Sequence, residues 1–202
     1  MTRHESAGAA RDRFFAAAVR VCATRGFAAT RMADIAAEAG RSKGAIYHHF
    51  PTKQALFVEL VHDIVDKFSG TLDAGMLQGV PARALIERSM VGLLESFGGV
   101  EIFRVFSELL PLAARDPELQ VPLTRYHAQS MKAFATLLRW GQRRGELRPD
   151  FSADKVARIL SRSGEGVFIL AAALGELDAA ADDVRELFAR VFDALEPAPT
   201  QI

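Results

Sequence analysis

Apolar residues recur at three- and four-residue intervals along nearly the whole chain, and no segment convincingly alternates as a half-buried strand does. Near the end of the chain the spacing is clearest, over Val184, Leu187, Phe188, Val191 and Leu195. Such spacing places the apolar side chains on one face of an α-helix. We therefore predict an all-α fold.

Glycines and cap residues divide the first fifty residues into three helices. Gly26 and Gly40 are predicted to end the first and second helices, because a residue without Cβ readily adopts the left-handed conformation found there. Thr30 is predicted to cap the second helix with its hydroxyl. The third helix is expected over residues 43–50 and ends before Pro51. Two short helices joined by a glycine-containing turn are typical of a helix-turn-helix unit.

The remaining sequence is predicted to form longer helices. Thr52 is expected to cap a long amphipathic helix that links the two parts of the chain. Prolines at 81, 111, 117, 122 and 149 are expected to separate the helices that follow. The last two long helices are expected at about Ala153 to Leu174 and Ala181 to Leu195, with a connector over residues 144–150 before them.

Charge is distributed unevenly, although 25 Lys and Arg balance 25 Asp and Glu. Residues 1–56 contain nine basic and four acidic side chains, a net charge of +5, so the remainder carries −5. A basic segment on an acidic body is expected where one end of a protein meets a polyanion, although chance clustering of solvated arginines gives the same count. We predict two domains, residues 1–51 and 52–196, and a frayed tail at 197–202.

Several classes of protein are disfavoured by the same sequence. The longest apolar stretch, Val167 to Leu174, is much shorter than the roughly 20 residues of a transmembrane helix. Arginines interrupt any apolar signal-peptide region near the N-terminus. The single cysteine, Cys22, allows neither an internal disulfide nor a cysteine-based zinc site. We expect a cytoplasmic protein without a metal or an organic cofactor.

A specific pattern joins a helix stop, a helix start, a turn and a Tyr-His-His-Phe helix in register. Its letters are GFAAT at 26–30, DIAAEAG at 34–40 and SKGAIYHHF at 42–50, followed by Lys53. This pattern closely resembles the N-terminal DNA-binding domain of the TetR family of bacterial transcriptional regulators. The resemblance covers about a quarter of the chain. It implies that the third helix enters the major groove of DNA.

The resemblance assigns roles to individual positions of this segment. Lys43, Gly44 and Ala45 are expected to face base edges, where lysine donates to guanine and the alanine methyl contacts thymine. Phosphate contacts are expected from Thr30, Ser42, Tyr47, His48 and Lys53. His49 remains open between packing and phosphate contact. Arg41 replaces a residue that is usually small and apolar in the family, and its guanidinium is another candidate for a phosphate.

Structural roles stay open for the same residues: Ser42 as a helix cap, Tyr47 in packing, and the lysines as solvated charges.

Motifs that would indicate an enzyme are weak in this sequence. Residues 40–44 match G-x-S-x-G, but a nucleophile elbow follows a strand, and none is predicted there. The glycines of 164–166 are expected to serve helix packing. Glu59 and His62 form a single E-x-x-H step, whereas a di-iron bundle needs two. We therefore expect no catalytic function.

The acidic body is expected to dimerise and to bind a small molecule, as the resemblance implies. The last two helices are predicted to form the dimer interface, unless their apolar faces pack only within one subunit. Candidate cavity residues are Met90, Leu94, Phe97, Phe103, Phe106, Tyr126, Met131, Phe134, Trp140 and Phe168, with Arg104, His127, Ser163 or Glu165 as polar groups.

The resulting hypothesis is a homodimeric, sequence-specific DNA-binding regulator of transcription. It would bind a palindromic DNA operator as a repressor and be released by an apolar or aromatic small-molecule ligand, with the helix after Thr52 transmitting the change. The alternative is a helical protein–protein interaction module that does not bind DNA.

Overall fold

The structure is a computed structural model that describes residues 7–95 and 99–197, and this part of the chain contains helices and no strand. The all-α prediction is therefore confirmed. The α-helices are α1 (Ala7–Arg25), α2 (Met32–Glu38), α3 (Lys43–His49), α4 (Lys53–Leu77), α5 (Ala82–Glu95), α6 (Ile102–Ala113), α7 (Pro117–Arg143), α8 (Ala153–Leu174) and α9 (Leu177–Leu195). A short 3-10 turn, Gly99–Glu101, precedes α6.

Helices α1 to α3 form a small unit, called the head, around a core of aromatic side chains. Gly26 and Gly40 have φ angles of 80° and 66°, which confirms the predicted ends of α1 and α2. Phe50, at the end of α3, is fully buried, and its ring centroid lies 6.1 Å from that of Phe14 and 5.6 Å from that of Phe15. This packing fixes how α3 sits on α1.

The start of α2 differs from the prediction that Thr30 caps it. Arg31 occupies the N-cap position and makes no capping hydrogen bond with its side chain. Thr30 is only 3% exposed, and its hydroxyl donates to the carbonyl oxygen of Gly26 at 2.7 Å. The hydroxyl therefore closes the loop between α1 and α2 from inside. The cap of α4 is confirmed, because the Thr52 side chain accepts from the backbone N–H of Ala55.

Two of the prolines do not separate helices as predicted. Pro111 lies in the last turn of α6 and Pro122 in the second turn of α7. Each removes one backbone N–H close to a helix end, where the loss of a single bond is tolerated. Helix α7 begins instead at Pro117, after Asp116 has capped it by accepting from the N–H of Glu118.

Helices α4 to α9 are called the body. In it α7 packs between α4 and α8, and α6 and α9 pack against α8. The predicted connector joins these layers, since Glu146 accepts from the N–H of Ala82 at 2.8 Å and the N–H of Arg148 donates to Leu195 at 2.8 Å. Helix α9 begins at Leu177, four residues before the predicted start at Ala181. No helix of the described residues has both the length and the apolar character to cross a membrane.

Candidate nucleic-acid interface and ligand cavity

Helix α3 is held by one apolar face and presents the other to solvent. Ile46 is completely buried on the inner side. The Ser42 side chain caps the helix by accepting from the N–H of Ala45 at 3.2 Å, so its structural role is observed. The hydroxyl of a capping serine keeps its own proton for donation. The first turn of α3 therefore lies open at the surface with its N-terminus capped.

The exposed side of α3 carries basic, aromatic and small residues. Lys43, Gly44 and His48 are exposed, and Tyr47 is 45% exposed. The Lys43 ammonium lies 5.9 Å from the centre of the Tyr47 ring. Arg41 is exposed in the turn that precedes the helix. We define these five residues as the recognition face.

His49 and Ala45 lie at the edge of the recognition face and are half-buried. The His49 ring lies 5.6 Å from the ring of Phe14 and 6.0 Å from that of Phe50, so its packing role is observed. A phosphate contact by this ring stays a prediction. Thr30, by contrast, is buried and its hydroxyl donates to a backbone carbonyl oxygen, and a phosphate contact at this position stays a prediction.

The half-buried Lys53 side chain contacts the loop between α1 and α2. Its ammonium donates to the carbonyl oxygens of Phe27, Ala28 and Thr30 at 2.5, 3.3 and 3.0 Å and lies 4.3 Å from the centre of the Phe27 ring. These three acceptors occupy all three donors of the ammonium. Burial lowers the pKa of Lys53 below its usual value. Lys53 thus has an observed structural role, in which it fastens the loop between α1 and α2 to the start of α4, and its phosphate contact stays a prediction.

We expect Lys53→Met to lower the free energy of unfolding by about 1–3 kcal/mol, because two partly buried carbonyl oxygens and one exposed one lose a charged donor. Methionine keeps the apolar stem that lies on Phe27. Chemical denaturation followed by circular dichroism measures this change, and Lys43→Met, at an exposed position, is the matched control with little effect on stability. An unchanged stability together with weaker DNA binding would instead support a phosphate contact by Lys53.

The same loop also joins the head to the body. Glu108 of α6 accepts a hydrogen bond from the backbone N–H of Phe27 at 2.6 Å. The side chain lies so close to Gly26 that a Cβ there would stand 3.2 Å from a carboxylate oxygen. Burial, followed by the charge of Glu108, raises the pKa of the nearby Cys22 thiol to about 12. We call the contact between Glu108 and this loop the head–body joint.

The body contains two neighbouring cavities of about 80 and 90 Å³. Phe103, Tyr126 and Glu165 line both of them. The first cavity lies between α4, α6, α7, α8 and α9, and the second lies between α6, α7 and α8. Most of the lining is apolar and aromatic, with few polar groups.

Half of the fourteen predicted cavity residues are brought together here. Phe103, Phe106, Tyr126, His127, Phe134, Glu165 and Phe168 line one or both cavities. The prediction missed lining residues on α4 and α9 and two serines, among them Ile64, Phe68, Ser130, Ser161, Val184 and Phe188. Helical spacing marks these positions as core, and no sequence signal distinguishes a core face from a cavity wall.

Four other candidates do not line either cavity. Arg104 turns to Glu101, with 2.7 Å between Nε and the carboxylate oxygen. Trp140 lies under the guanidinium of Arg144, 4.6 Å from the ring centre. Met131 and Ser163 are also absent from both linings. Phe97 lies outside the described residues, as do the side chains of Met90 and Leu94.

The face of α8 that points away from the body is apolar but exposed. Ile159, Leu170 and Leu174 are each 61% exposed, and the small residues Ser163 and Gly166 lie between them at helical spacing. We call these five residues the outer α8 face. A row of large exposed apolar side chains is costly in water and marks an interaction surface.

The residues that match enzyme motifs have structural contacts. Ser42 caps α3 between two helices, and Glu59 forms an ion pair with Arg11 at 2.8 Å. Gly164 faces Phe188 of α9, where a Cβ would make an ordinary contact at 3.5 Å, and a Cβ at Gly166 would meet open space, so neither glycine is required for close helix packing. Across the described ranges, no three His, Cys, Asp or Glu residues are grouped to hold a metal ion.

The comparisons with known proteins agree with the site. Residues 14–60 match the family model described as bacterial regulatory proteins, tetR family. The chain is 30% identical over 124 residues to the HTH-type transcriptional regulator CymR of Pseudomonas putida, a match that spans 61% of each chain and thus less than two thirds of that relative. It is 27% identical over 154 residues to the HTH-type transcriptional repressor KstR2 of Mycolicibacterium smegmatis, covering 74% of this chain and 73% of that one.

Solved structures agree as well. A Rhodococcus sp. protein assigned to the TetR-family transcriptional regulators superposes with a TM-score of 0.74 and 25% identity, covering 93% of this chain and 98% of that one. These relatives are described as regulators or repressors of transcription.

Proposed function

Because this chain belongs to the TetR family of bacterial regulatory proteins, we propose that it binds a palindromic operator as a homodimer and represses transcription in the cytoplasm. An apolar or aromatic small molecule in the body releases it from DNA. The observation that carries the proposal is the recognition face: a basic and aromatic helix surface, held from behind by buried Ile46 and Phe50. The alternative, a protein–protein interaction module, has no observation of its own in its favour.

The recognition face supplies the two kinds of contact that DNA binding needs. Lys43 and the small residues Gly44 and Ala45 are at the start of α3, where a helix in the major groove meets base edges. Arg41, Tyr47 and His48 provide donors for the phosphates on either side. Arg31, exposed at the start of α2 and not predicted as a contact from the sequence, adds a positive charge to the head.

Binding to the DNA that flanks the gene tests this proposal. Fluorescence anisotropy across a salt series is expected to show one tight palindromic site whose affinity falls steeply as salt rises, because bound phosphates release counterions. Weak binding of equal strength to every sequence would instead favour a protein partner.

Lys43→Ala is expected to weaken binding at the preferred operator by about 1–3 kcal/mol and to relax base choice where lysine meets guanine. The stability of the chain should not change, because the side chain is exposed. Lys132→Ala, at an exposed position of α7 in the body, is the matched control. If Lys43→Ala weakens binding to all DNA sequences alike, Lys43 acts only as a general positive charge.

The outer α8 face supports a dimer through the last two helices. In a twofold-symmetric dimer built from α8 and α9, the outer α8 face of one subunit would pack against the same face of the other. This contact would bury Ile159, Leu170 and Leu174. Two recognition helices, about 34 Å apart, could then meet successive major grooves on one side of the duplex.

Release requires a path from the cavities to the head, and the head–body joint supports one. Phe103 and Phe106 of α6 line the cavities, and Glu108 of the same helix holds the loop that precedes α2. A ligand that shifts α6 would move this loop. The same loop is also held to the start of the long helix α4 by Lys53. The ligand acts only by binding more tightly to the conformation that does not fit DNA.

A further inference from the structure

The charge inside the two cavities has one sign. Glu165 lines both cavities, and among the described residues that line them there is no Lys or Arg. His127 lines the second cavity and is the only basic side chain among the described residues of either lining. An apolar site with a single carboxylate attracts positive charge and rejects negative charge.

The Glu165 carboxylate has weak partners. One oxygen lies 3.4 Å from Nδ1 of His127, and the other accepts from the hydroxyl of Ser161 at 3.5 Å. Both distances are at the far limit of hydrogen bonding, whereas strong contacts to a carboxylate lie below about 3 Å. Burial raises the pKa of Glu165, and the nearby His127, the Ser161 hydroxyl and the charge of Arg162 oppose that shift. The carboxylate therefore retains capacity for a closer, positively charged partner.

Aromatic rings surround the same position. The Phe103 and Phe168 rings are stacked with their centroids 4.0 Å apart and their planes 7° apart. The Phe106 and Tyr126 rings lie 5.8 Å from each other. Ring faces carry partial negative charge and stabilise a cation that has left water, most strongly where it is desolvated.

We infer that the cavities take a small organic cation with an apolar or aromatic body, whose ammonium group lies among these rings and against Glu165. The inference rests on the proposed function, because it names the class of molecule that releases the DNA. Binding to the full chain can nevertheless be measured without DNA, so the two ideas can be tested separately.

Three probes of similar shape separate charge from size: phenyltrimethylammonium, its neutral carbon isostere tert-butylbenzene, and the tetrahedral anion benzenesulfonate. Titration calorimetry of the full chain is expected to show the cation binding at least about tenfold more tightly than either of the others. Equal affinity for the neutral probe, tighter binding of the anion, or no binding of the cation would overturn the inference.

Glu165→Gln removes the charge and keeps the shape. We expect this variant to lose about tenfold in affinity for phenyltrimethylammonium and to bind tert-butylbenzene as the unmodified chain does. Glu118→Gln, an exposed position of α7, is the matched control and should change neither affinity. If Glu165→Gln does not fold, the comparison of the three probes on the unmodified chain still decides the matter.

Operator binding in the presence of the cation separates the inference from the proposed function. If the cation binds through Glu165 and the DNA complex dissociates, both are supported. If it binds with the same dependence on Glu165 and the operator complex persists, the ligand class stands while release by this ligand fails. A cation that dissociates the complex equally from the Glu165→Gln variant contradicts the assigned position.

Discussion

Replacing Ile159 and Leu170 together with aspartate is expected to convert the proposed dimer to monomers and to lower operator affinity by about 10²–10⁴-fold. Both side chains are 61% exposed on the outer α8 face. In a symmetric dimer the two substitutions place four carboxylates in one apolar contact, where they cannot be solvated. The operator affinity falls because two half-site contacts no longer act as one molecule.

Analytical ultracentrifugation and fluorescence anisotropy with the operator measure the two parts of this expectation. Leu77→Asp is the matched control: Leu77 is 90% exposed at the end of α4 and lies on a different surface element. The control should remain a dimer with unchanged affinity. A double variant that still sediments as a dimer and binds the operator normally would place the interface on another face.

Phe50→Ala is expected to destabilise the head by about 3–5 kcal/mol, because it leaves a large cavity in a close-packed aromatic core. The Phe50 ring is fully buried against Phe14 and Phe15 and holds the C-terminal end of the recognition helix. Chemical denaturation monitors the loss of stability, and operator binding should weaken along with it, since α3 loses its fixed orientation.

Tyr47→Ala, on the same helix, is expected to weaken DNA binding without a loss of stability. Tyr47 is 45% exposed, so its removal should change the free energy of unfolding by less than about 0.5 kcal/mol. DNA binding should weaken at all sequences, because the ring and its hydroxyl face the phosphates in the proposed complex. If instead Tyr47→Ala unfolds the head and Phe50→Ala does not, the assignment of inner and outer faces is wrong.

Local signals in the sequence were sufficient for much of the fold. Gly26 and Gly40 end helices because their backbone conformation excludes most other residues, and this depends on nothing distant. The prolines were less predictable. Pro111 and Pro122 lie inside helices, because each stands close enough to a helix end for the loss of one backbone hydrogen bond to be tolerated. For Pro122 that position depends on where α7 starts, which is set by the cap at Asp116.

Side-chain roles that depend on long-range contacts were not predictable. A lysine three residues after Phe50 is ordinary in sequence, yet Lys53 finds three carbonyl oxygens more than twenty residues away. Thr30 has the side chain of a cap, but the loop turns it inward. Trp140 was a reasonable cavity residue by size, and only the fold shows that it lies under Arg144.

Exchanging DNA-binding heads between regulators requires a fusion junction, and the Lys53 contact determines where that junction can be placed in this chain. A junction at residues 51–52 would remove the ammonium that holds the loop before α2 and also Phe57, whose ring stands 5.1 Å from that of Phe27. A graft that keeps this chain through Leu60 preserves both contacts. A chimera built on the shorter segment should express poorly for reasons unrelated to the operator it was designed to recognise.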